Sequence, residues 1–318
     1  MRIEDEIKLT FDDVLIRPKR STLVSRSEVV LERQFKFKHT NEIWTGVPIF
    51  SANMDTTGTF ETAITLQKHK MLTAIHKFYS IKDWEKNVEK LDPNFISVTV
   101  GQSKEDLQLG QKIFSLNSDI KYLCIDVANG YREDFINSVK NYRETFPDKI
   151  IIAGNVATRE MTEALILAGA DIVKIGIGPG SVCTTRSVAG VGYPQLSSIS
   201  ECSDAAHGLG GHVMADGGCK YPGDVSKAFG AGADYVMLGG MFAGHKESGG
   251  ELVTDEEGVQ YKDFYGMSST KAQQTYYGDL AEHRAPEGKK VRLRYKGELD
   301  KTVQSILGGM RSACSYVG

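Results

Sequence analysis

Short apolar runs alternate with amphipathic stretches along most of this 318-residue chain. Each run is apolar on both faces and too short for a helix, which is typical of parallel strands buried between two layers. The stretches between them carry apolar residues at helical spacing, and one of them, 158–170, begins with a threonine and a nearby glutamate that favour a helix cap. The eight runs are VPIFSANM (47–54), MLTAIH (71–76), FISVTVG (95–101), YLCIDVANG (122–130), KIIIAGNVA (149–157), DIVKIGIGPG (171–180), HVMADGG (212–218) and YVMLGGM (235–241).

Eight strand signals joined by helical segments predict an α/β fold, the (β/α)8 or TIM barrel, with residues 1–318 forming a single domain. An open doubly wound sheet is the alternative architecture. The interval between the sixth and seventh runs is long and holds CTTRSVAGVGYPQL. Long loops in compact domains are usually functional. A second long segment, approximately 245–290, is rich in glycine and charge with little periodicity, and we expect it to form a flap over the active site.

Composition excludes several classes of protein. Hydrophobic residues make up 41% and charged residues 25% of the chain, which is typical of a soluble globular protein. The net charge of −3 comes with no polybasic tract, so neither nucleic acid nor an anionic membrane is an expected partner. No apolar run reaches the ~18 residues of a membrane helix, and the acidic N-terminus does not resemble a signal peptide. Five cysteines without a CxxC pair fit a reducing compartment, so a cytoplasmic location is expected.

Polar residues gather where the predicted strands end, which is where such barrels carry their sites. Asp55 and Asn155 have an equally good interpretation as helix caps. The motifs ADGG and LGG end the last two runs, and their glycine amides favour a phosphate, although each pair alone also fits a tight turn. Asp216, just before the first pair, is placed to accept hydrogen bonds from ribose hydroxyls. The strand-end residues are Asn53, Asp55, His76, Asp126, Asn129, Asn155 and Asp216.

The stretch GPGSVCTTR places Cys183 in a loop rich in backbone amides, beside two threonines and close to Arg186. Amides and a cation lower the pKa of a thiol toward a reactive thiolate, so Cys183 is the candidate nucleophile, with an inert free thiol as the alternative. Cys124 and Cys202 lie in apolar patterns and are predicted core thiols. The seven histidines show no zinc-binding spacing.

Taken together, several stretches resemble the IMP dehydrogenase/GMP reductase family of barrels, and within it the reductases. The resemblance runs from about residue 2 to the end, and the cysteine loop and the GMSS stretch are its most specific parts. It favours the nucleophile interpretation of Cys183. The stretches are LTFDDVLIRPKRS, SANMDT, GIGPGSVCTTR, GVGYPQL, DGGC, PGDVSKAFGAGADYVMLGGM, ESGGE, FYGMSS and LGGMRSACSYVG.

The resemblance implies reductive deamination of GMP by NADPH to IMP and ammonia, in nucleotide salvage, through a covalent thioimidate on Cys183. It also implies a potassium ion, a homotetramer, and proton delivery by Thr185 and Glu287. By matching positions it assigns nucleotide contacts to Asp216, Gly217, Gly218, Gly239, Gly240, Gly266, Met267, Ser268, Arg284 and Gly288. Cofactor contacts fall on Ser25, Arg26, Lys77, Asp126, Val127, Ala128, Ile177, Gly178, Ser312, Ala313, Cys314 and Ser315. The potassium site is assigned to Gly178, Gly180, Cys183 and Arg186.

Two features favour a reductase over a dehydrogenase of this family. Only residues 77–94 separate the second and third runs, which leaves no room for the CBS pair that dehydrogenases usually insert there. The flap also shows no Arg-Tyr pair of the kind that activates water in the dehydrogenases. The chain departs from the family at His283 and Pro286 of the flap. IMP dehydrogenase, or a nucleotide-binding barrel without turnover, stays as the alternative.

Overall fold

The computed structural model describes residues 3–278 and 285–317 of the chain. A short hairpin of β1 (Arg33–Lys36) and β2 (Ile43–Gly46) precedes eight parallel strands that close into a barrel, so the (β/α)8 prediction is confirmed. Every predicted run contains one barrel strand, and most side chains of these strands are buried. The strands are β3 (Ile49–Ser51), β4 (Leu72–Ile75), β5 (Ile96–Val100), β6 (Tyr122–Asp126), β7 (Ile150–Val156), β8 (Ile172–Ile175), β9 (His212–Asp216) and β10 (Tyr235–Leu238).

Helices follow the strands and cover the outside of the barrel. Ser103 is the N-cap of a helix, and its hydroxyl accepts a hydrogen bond from the Asp106 amide. The Asp106 carboxylate in turn accepts one from the Ser103 amide, so the two residues form a capping box. Thr158 occupies the N-cap position of its helix, as expected, but its side chain makes no cap hydrogen bond and instead accepts one from the Tyr131 hydroxyl. The helices are α1 (Phe60–Leu66), α2 (Ile81–Asn87), α3 (Lys104–Leu116), α4 (Glu133–Thr145), α5 (Arg159–Leu167), α6 (Thr185–Val188), α7 (Gln195–Gly208) and α8 (Pro222–Gly230).

Aromatic side chains close the amino-terminal end of the barrel. Phe35 and Trp44 of the hairpin pack beneath the strands, and the Phe35 ring lies 4.6 Å from the Tyr235 ring, centre to centre. Trp44 is almost fully buried, and its ring contacts Tyr122 and Tyr235. Because this end is filled with side chains, ligands reach the barrel at the opposite end, where the strands finish.

The long segment after β10 is more regular than its sequence suggests. It forms a three-stranded antiparallel sheet of β11 (Leu252–Thr254), β12 (Gln260–Tyr265) and β13 (Lys290–Arg294). Between β12 and β13 lies α9 (Thr270–Tyr276), and after them α10 (Asp300–Val317) packs against α8. We keep the name flap for residues 245–290, as predicted, although the sheet continues to Arg294. β11 is only three residues long, and β12 buries the charged residues Lys262 and Asp263, so the burial of this sheet does not follow an apolar pattern in the sequence.

Candidate active site

A cavity of about 760 Å³ lies at the carboxyl ends of the barrel strands. This volume falls within the ~300–1,000 Å³ that is usual for small-molecule sites. Its walls come from the strand ends, from the loop after β8 (the Cys183 loop, residues 176–184) and from the flap. The lining residues that bear on chemistry are Asn53, Lys77, Asp126, Asn155, Lys174, Cys183, Thr185, Asp216, Met267, Ser268 and Glu287.

The Cys183 loop presents its thiol to this cavity. The backbone turns at Gly180, whose carbonyl accepts a hydrogen bond from the Cys183 amide at 3.1 Å. The thiol is half-buried, and its Sγ lies 3.3 Å from Oγ1 of Thr185, the first residue of α6. The nucleophile predicted from sequence therefore stands at the cavity wall with a hydroxyl group as its neighbour.

The Thr185 hydroxyl connects the thiol to a carboxylate that is distant in sequence. It donates to Oε2 of Glu287 at 2.7 Å. Because that hydroxyl proton is engaged by the carboxylate, the hydroxyl oxygen is left to accept from the thiol. The three groups thus form a continuous chain of hydrogen bonds, in which a nucleophile is paired with a base through an orienting group. Such a chain can move a proton between the sulfur side of the cavity and Glu287.

Backbone hydrogen bonds fix Glu287 beside the Cys183 loop. The Thr184 amide donates to the Glu287 carbonyl at 3.0 Å, and the Lys289 amide donates to the Val182 carbonyl at 2.9 Å. The Glu287 amide in turn donates to the Ser268 carbonyl at 3.2 Å. The flap is therefore joined on both sides of Glu287 to elements that line the cavity, and the carboxylate is held in place by the main chain.

A buried ion triad lies beneath the same cavity. Nζ of Lys174, on β8, donates to Oδ1 of Asp126 at 2.7 Å and to Oδ2 of Asp216 at 2.9 Å. Burial alone would raise the pKa of Asp126, but the Lys174 ammonium outweighs burial and holds that pKa below its usual value. Burial alone would lower the pKa of Lys174, but the charges of Asp126 and Asp216 raise it above its usual value. Asp126 and Lys174 are accordingly both charged at neutral pH.

Asp55 and Asn155 serve the site and cap no helix, because Thr59 and Thr158 occupy the cap positions of α1 and α5. Nδ2 of Asn155 donates to Oδ2 of Asp216 at 2.8 Å and to the Gly176 carbonyl at 2.9 Å. The cap interpretation of these two residues is therefore wrong.

Asp55 ties the flap to the end of β3. Its Oδ2 accepts hydrogen bonds from the hydroxyl groups of Tyr265 at 2.5 Å and Tyr276 at 2.6 Å. These tyrosines flank the Gly266–Ser268 stretch, which lines the cavity. The ring of Tyr276 also stacks on Phe78, with centroids 3.6 Å apart. A barrel residue thus anchors the part of the flap that carries the predicted nucleotide contacts.

Other residues singled out from the sequence, two cysteines and His76, are buried. Burial raises the pKa of Cys124 to about 12 and that of Cys202 to about 11, and both side chains are fully buried, as expected of core thiols. Burial also lowers the pKa of His76 to about 4, so this ring is neutral at physiological pH. It stacks on Tyr79 with centroids 4.0 Å apart and packs against the barrel as a neutral aromatic group. Cys183 is thus the cysteine positioned for chemistry.

The residues assigned to the nucleotide divide into lining and supporting positions. Asp216, Gly266, Met267 and Ser268 line the cavity. Among the supporting glycines, Gly217 and Gly218 have φ of 89° and 92° and pack against Pro179 of the Cys183 loop, where a Cβ would be strained. Arg284 and its neighbour His283 lie outside the described residues. The remaining supporting positions are Gly239, Gly240 and Gly288, of which Gly288 forms β-bridges with Cys183 and Ser269.

The residues assigned to the cofactor form two separate groups. Lys77, Asp126, Val127, Ala128, Ile177 and Gly178 line the cavity next to the Cys183 loop. The second group does not line it. Ser25 caps a short 3-10 turn, Arg26–Glu28, that packs against α10, which carries Ser312, Ala313, Cys314 and Ser315. One chain therefore does not bring the two groups together.

The residues assigned to potassium lie in the Cys183 loop and at its exit. Gly178, Gly180 and Cys183 provide backbone carbonyls there, although the Gly180 carbonyl already accepts the Cys183 amide. The aliphatic part of Arg186 packs against Gly178, and its Nη2 donates to the Tyr193 carbonyl at 2.5 Å. Within the described part of the chain, no cluster of three His, Cys, Asp or Glu side chains could hold a metal ion. Any cation here would be held by carbonyl oxygens.

Sequence reasoning missed Lys174, the centre of the ion triad. A signal was present, because DIVKIGI places a lysine inside an otherwise apolar buried strand, and lysine is almost never fully buried unless it is paired. Gln102, Ser103, Gln273 and Tyr277 also line the cavity and were not anticipated. They come from loop and flap positions with no distinguishing pattern.

Fold and site define a class: a (β/α)8 barrel that presents a cysteine, a hydroxyl and a carboxylate to a ligand cavity at its strand ends. The sequence matches the family described as "IMP dehydrogenase / GMP reductase domain" over residues 8–318. The chain belongs to this family.

Individual relatives agree with this assignment. Proteins named GMP reductase from Buchnera aphidicola subsp. Acyrthosiphon pisum (strain Tuc7) and from Escherichia coli O81 (strain ED1a) are each 57% identical to it over 321 residues, covering 100% of this chain and 92% of theirs. The protein of the same name from Aeromonas hydrophila subsp. hydrophila is 56% identical over the same length and coverage. The resemblance predicted from sequence motifs is therefore confirmed.

Proposed function

We propose that this chain is a GMP reductase, which converts GMP, NADPH and two protons to IMP, NADP⁺ and ammonium. One observation carries the proposal. The hydrogen-bonded chain from Cys183 through Thr185 to Glu287 joins a nucleophile to a proton carrier, and its Thr185–Glu287 link spans 102 residues of sequence. Binding alone requires neither group, so a nucleotide-binding barrel without turnover does not account for this arrangement.

The first half of the reaction removes ammonia. The Cys183 sulfur adds to C2 of the purine, and the bond from C2 to the exocyclic nitrogen breaks. Amide is a poor leaving group, so the departing nitrogen must receive a proton, and general acid catalysis of this kind contributes about 10²–10⁴-fold in rate. Thr185 lies between the sulfur and Glu287, so its hydroxyl is placed to pass a proton from the carboxyl group to the nitrogen. The product is a thioimidate joined to Cys183.

The second half needs a hydride at C2. The cavity of about 760 Å³ beside the Cys183 loop carries Asp126, Ala128 and Ile177 on the side assigned to the cofactor. NADPH bound there would supply the hydride to C2, after which the bond from C2 to sulfur breaks and releases IMP with the thiolate. The chain's part in this step is to hold the purine between sulfur and hydride donor and to exclude water. Hydrolysis of the thioimidate would otherwise yield a different purine.

Asp216 and the glycine amides are assigned to the nucleotide in this proposal. Asp216 faces the cavity while Lys174 and Asn155 orient its carboxylate, which suits it to accept hydrogen bonds from ribose hydroxyls. Gly217, Gly218, Gly239 and Gly240 supply amides for the phosphate, which the last strands and loops of this fold commonly bind. The Asp55 anchor holds Met267 and Ser268 over the base.

Four finer properties belong to the proposal. NADPH is preferred to NADH because Arg26 is assigned to the end of the cofactor that carries the extra phosphate. The enzyme acts in the cytoplasm, in keeping with five free cysteines. A potassium ion is held by carbonyls of Gly178, Gly180 and Cys183. The chain forms a homotetramer, which would cover apolar side chains exposed on the N-terminal arm, such as Leu15 and Val24. Among the described residues, no helix is long and apolar enough to cross a membrane.

The test is an ammonia assay with GMP and NADPH, alongside IMP with NAD⁺ as the dehydrogenase arm. We expect ammonia in proportion to NADPH consumed and no sustained turnover of IMP with NAD⁺. Cys183→Ala should bind GMP and release no ammonia, whereas Cys219→Ala, which removes another half-buried thiol, should stay active. Replacing potassium by lithium in the same assay should lower the rate. Wild-type protein that binds GMP without releasing ammonia would contradict the proposal.

A further inference from the structure

In the reaction described above Lys174 serves only to orient Asp216, yet the burial of its charged side chain is energetically costly. It lies in the middle of β8, its side chain is 3% exposed, and it still carries a charge. Taking an ammonium group out of water costs several kcal/mol unless good partners compensate. Two carboxylates provide that compensation, and both face the active-site cavity.

The triad spans the inside of the barrel. Asp126 ends β6 and Asp216 ends β9, and the strand order separates these two strands by β7 and β8. Lys174 reaches both from β8, with Nζ at 2.7 Å and 2.9 Å from the two carboxylates. On the intervening strand, a Cβ at Gly154 would lie only 2.6 Å from both Cβ and the carbonyl oxygen of Lys174. Gly154 therefore provides the room in which Lys174 lies.

The surroundings of the triad are unequal on its two sides. The charge of Lys77 and a hydrogen bond from the Asn53 side chain also lower the pKa of Asp126. Asp216 accepts from the neutral Asn155 amide and has Lys174 as its ion-pair partner among the described residues. Cys124, a core thiol, is the other titratable group close to the ammonium. The position of Asp216 thus depends on Lys174 more strongly than that of Asp126.

We propose that Lys174 is a shared positioning residue, which sets the nucleotide-binding carboxylate and the cofactor-binding carboxylate with one ammonium group. The inference rests on the proposed function, in which Asp216 contacts the ribose of GMP and Asp126 contacts NADPH. Lys174 itself touches neither ligand in this arrangement. A residue of this kind couples two subsites physically, because displacing its ammonium moves both carboxylates.

Removing the ammonium has a distinctive consequence. In Lys174→Met the two carboxylates remain close together without a cation between them, so they repel, and both move from the positions that their ligands need. Neutralising Asp126 in that background removes the repulsion and lets Asp216 return. Asp126→Asn alone therefore weakens NADPH binding. Combined with Lys174→Met, the same substitution strengthens GMP binding relative to Lys174→Met alone. A merely structural lysine would not produce this reversal.

The experiment measures KM for GMP, KM for NADPH and kcat by ammonia release for the wild type and three variants: Lys174→Met, Asp126→Asn and the double variant. We expect Lys174→Met to raise both KM values about tenfold or more, as loss of a hydrogen bond to a charged group does. Asp126→Asn should raise only the KM for NADPH. The double variant should lower the KM for GMP at least about threefold from its value in Lys174→Met, because the repulsion is gone although Asp216 still lacks its cation. Lys149→Met, which removes a buried lysine at the closed end of the barrel, is the matched control and should leave both KM values unchanged.

Lys174→Arg keeps the charge and is measured in parallel in case the methionine variant does not fold. A longer, forked cation cannot keep both short contacts, so both KM values should rise in this variant too. The inference is overturned if Lys174→Arg leaves both KM values unchanged, if Lys174→Met raises only one of them, or if the double variant binds GMP no better than Lys174→Met. Absence of turnover in the wild type under the same conditions would instead count against the proposed function.

Discussion

The barrel carries a buried ion cluster at each end, and the two are built in opposite ways. At the closed end, the lower cluster consists of Asp171, which is fully buried, and Arg143, which reaches it from the periphery with Nη2 2.5 Å from Oδ2. At the open end, the upper cluster consists of Lys174, Asp126 and Asp216. There the cation is buried and the carboxylates are 26% and 20% exposed at the cavity.

The two clusters differ in which groups donate hydrogen bonds to their carboxylates. Asp171 accepts from the amides of His39 and Ile151 at 3.0 Å each, in addition to Arg143, so its oxygens are occupied by the protein itself. The upper carboxylates keep a side turned to the cavity, where a ligand can supply the remaining donors. The same chemistry thus holds the barrel closed at one end and keeps binding groups ready at the other. Breaking the lower cluster should therefore reduce stability, and breaking the upper cluster should reduce activity.

The largest expected effect is on catalysis at the open end. Glu287→Gln keeps the side-chain size but cannot carry the proton that Thr185 passes on, so kcat should fall by about 10³-fold, within the 10²–10⁴-fold that general acid–base catalysis contributes. The affinity for GMP, measured by calorimetry, should change little. Glu257→Gln, on an exposed turn of the flap, is the control. A Glu287→Gln variant with wild-type kcat would remove the carboxylate from the mechanism.

The next effect falls on stability at the closed end. Arg143→Met leaves Asp171 buried without its cation, and breaking a buried pair in this way costs about 3–5 kcal/mol. We expect a corresponding fall in the free energy of unfolding by urea, with kcat and both KM values unchanged while the protein is folded. Arg132→Met breaks an exposed pair with Asp134 and should cost less than about 1 kcal/mol. If Arg143→Met lost activity without losing stability, the distinction between a stabilising closed end and a ligand-binding open end would be contradicted.

A smaller effect is expected at the anchor between the barrel and the flap. Tyr276→Phe keeps the stack on Phe78 and loses only the hydroxyl that donates to Asp55. Because Tyr265 still donates to the same oxygen, we expect the KM for GMP to rise about three- to tenfold, in line with the loss of one hydrogen bond to a charged group. Tyr261→Phe, on the same flap sheet, should have no effect. An unchanged KM in Tyr276→Phe would show that the flap does not need this anchor.

The smallest effect is a pH dependence of stability at the closed end. Burial alone would lower the pKa of His212, but the Asp234 carboxylate, whose Oδ1 lies 3.4 Å from Nδ1, and the Lys36 carbonyl, which contacts Nε2, raise it above the usual 6.5. A raised pKa means that the folded state binds the proton more tightly, so the stabilisation is complete below pH 6.5 and is lost as the pH rises through the folded value. We expect the free energy of unfolding to fall as the pH rises over that range. His212→Asn should flatten this part of the profile, and an unchanged slope would contradict the assignment.

The sequence predicted the barrel well because its strands are buried on both faces and read as separate apolar runs. It predicted Cys183 as the nucleophile from its unusual loop, whereas the role of Thr185 came from the family resemblance. The contact between Thr185 and Glu287 could not be predicted from spacing, since it is made by the flap folding back, and only the family resemblance pointed to it.

Other features escaped for physical reasons. The flap sheet was missed because β11 is only three residues long and β12 buries two charged side chains, Lys262 and Asp263, where an apolar pattern would be expected. Lys174 was missed because a lone lysine in a strand signals burial of a charge only when its partners are known, and those partners stand on strands that are distant in sequence. Asp55 and Asn155 were ambiguous because a strand end is also where the next helix begins.

The central claim is that the sulfur of Cys183 bonds covalently to the purine. The most direct test is mass spectrometry of peptides from wild-type protein quenched in acid after incubation with GMP and NADP⁺, which allows deamination but supplies no hydride. We expect the peptide carrying Cys183 to gain the mass of GMP less ammonia, and the thiol to become protected from alkylation. If the protein turns over GMP with NADPH while that peptide stays unmodified and its thiol alkylates freely, the account is contradicted.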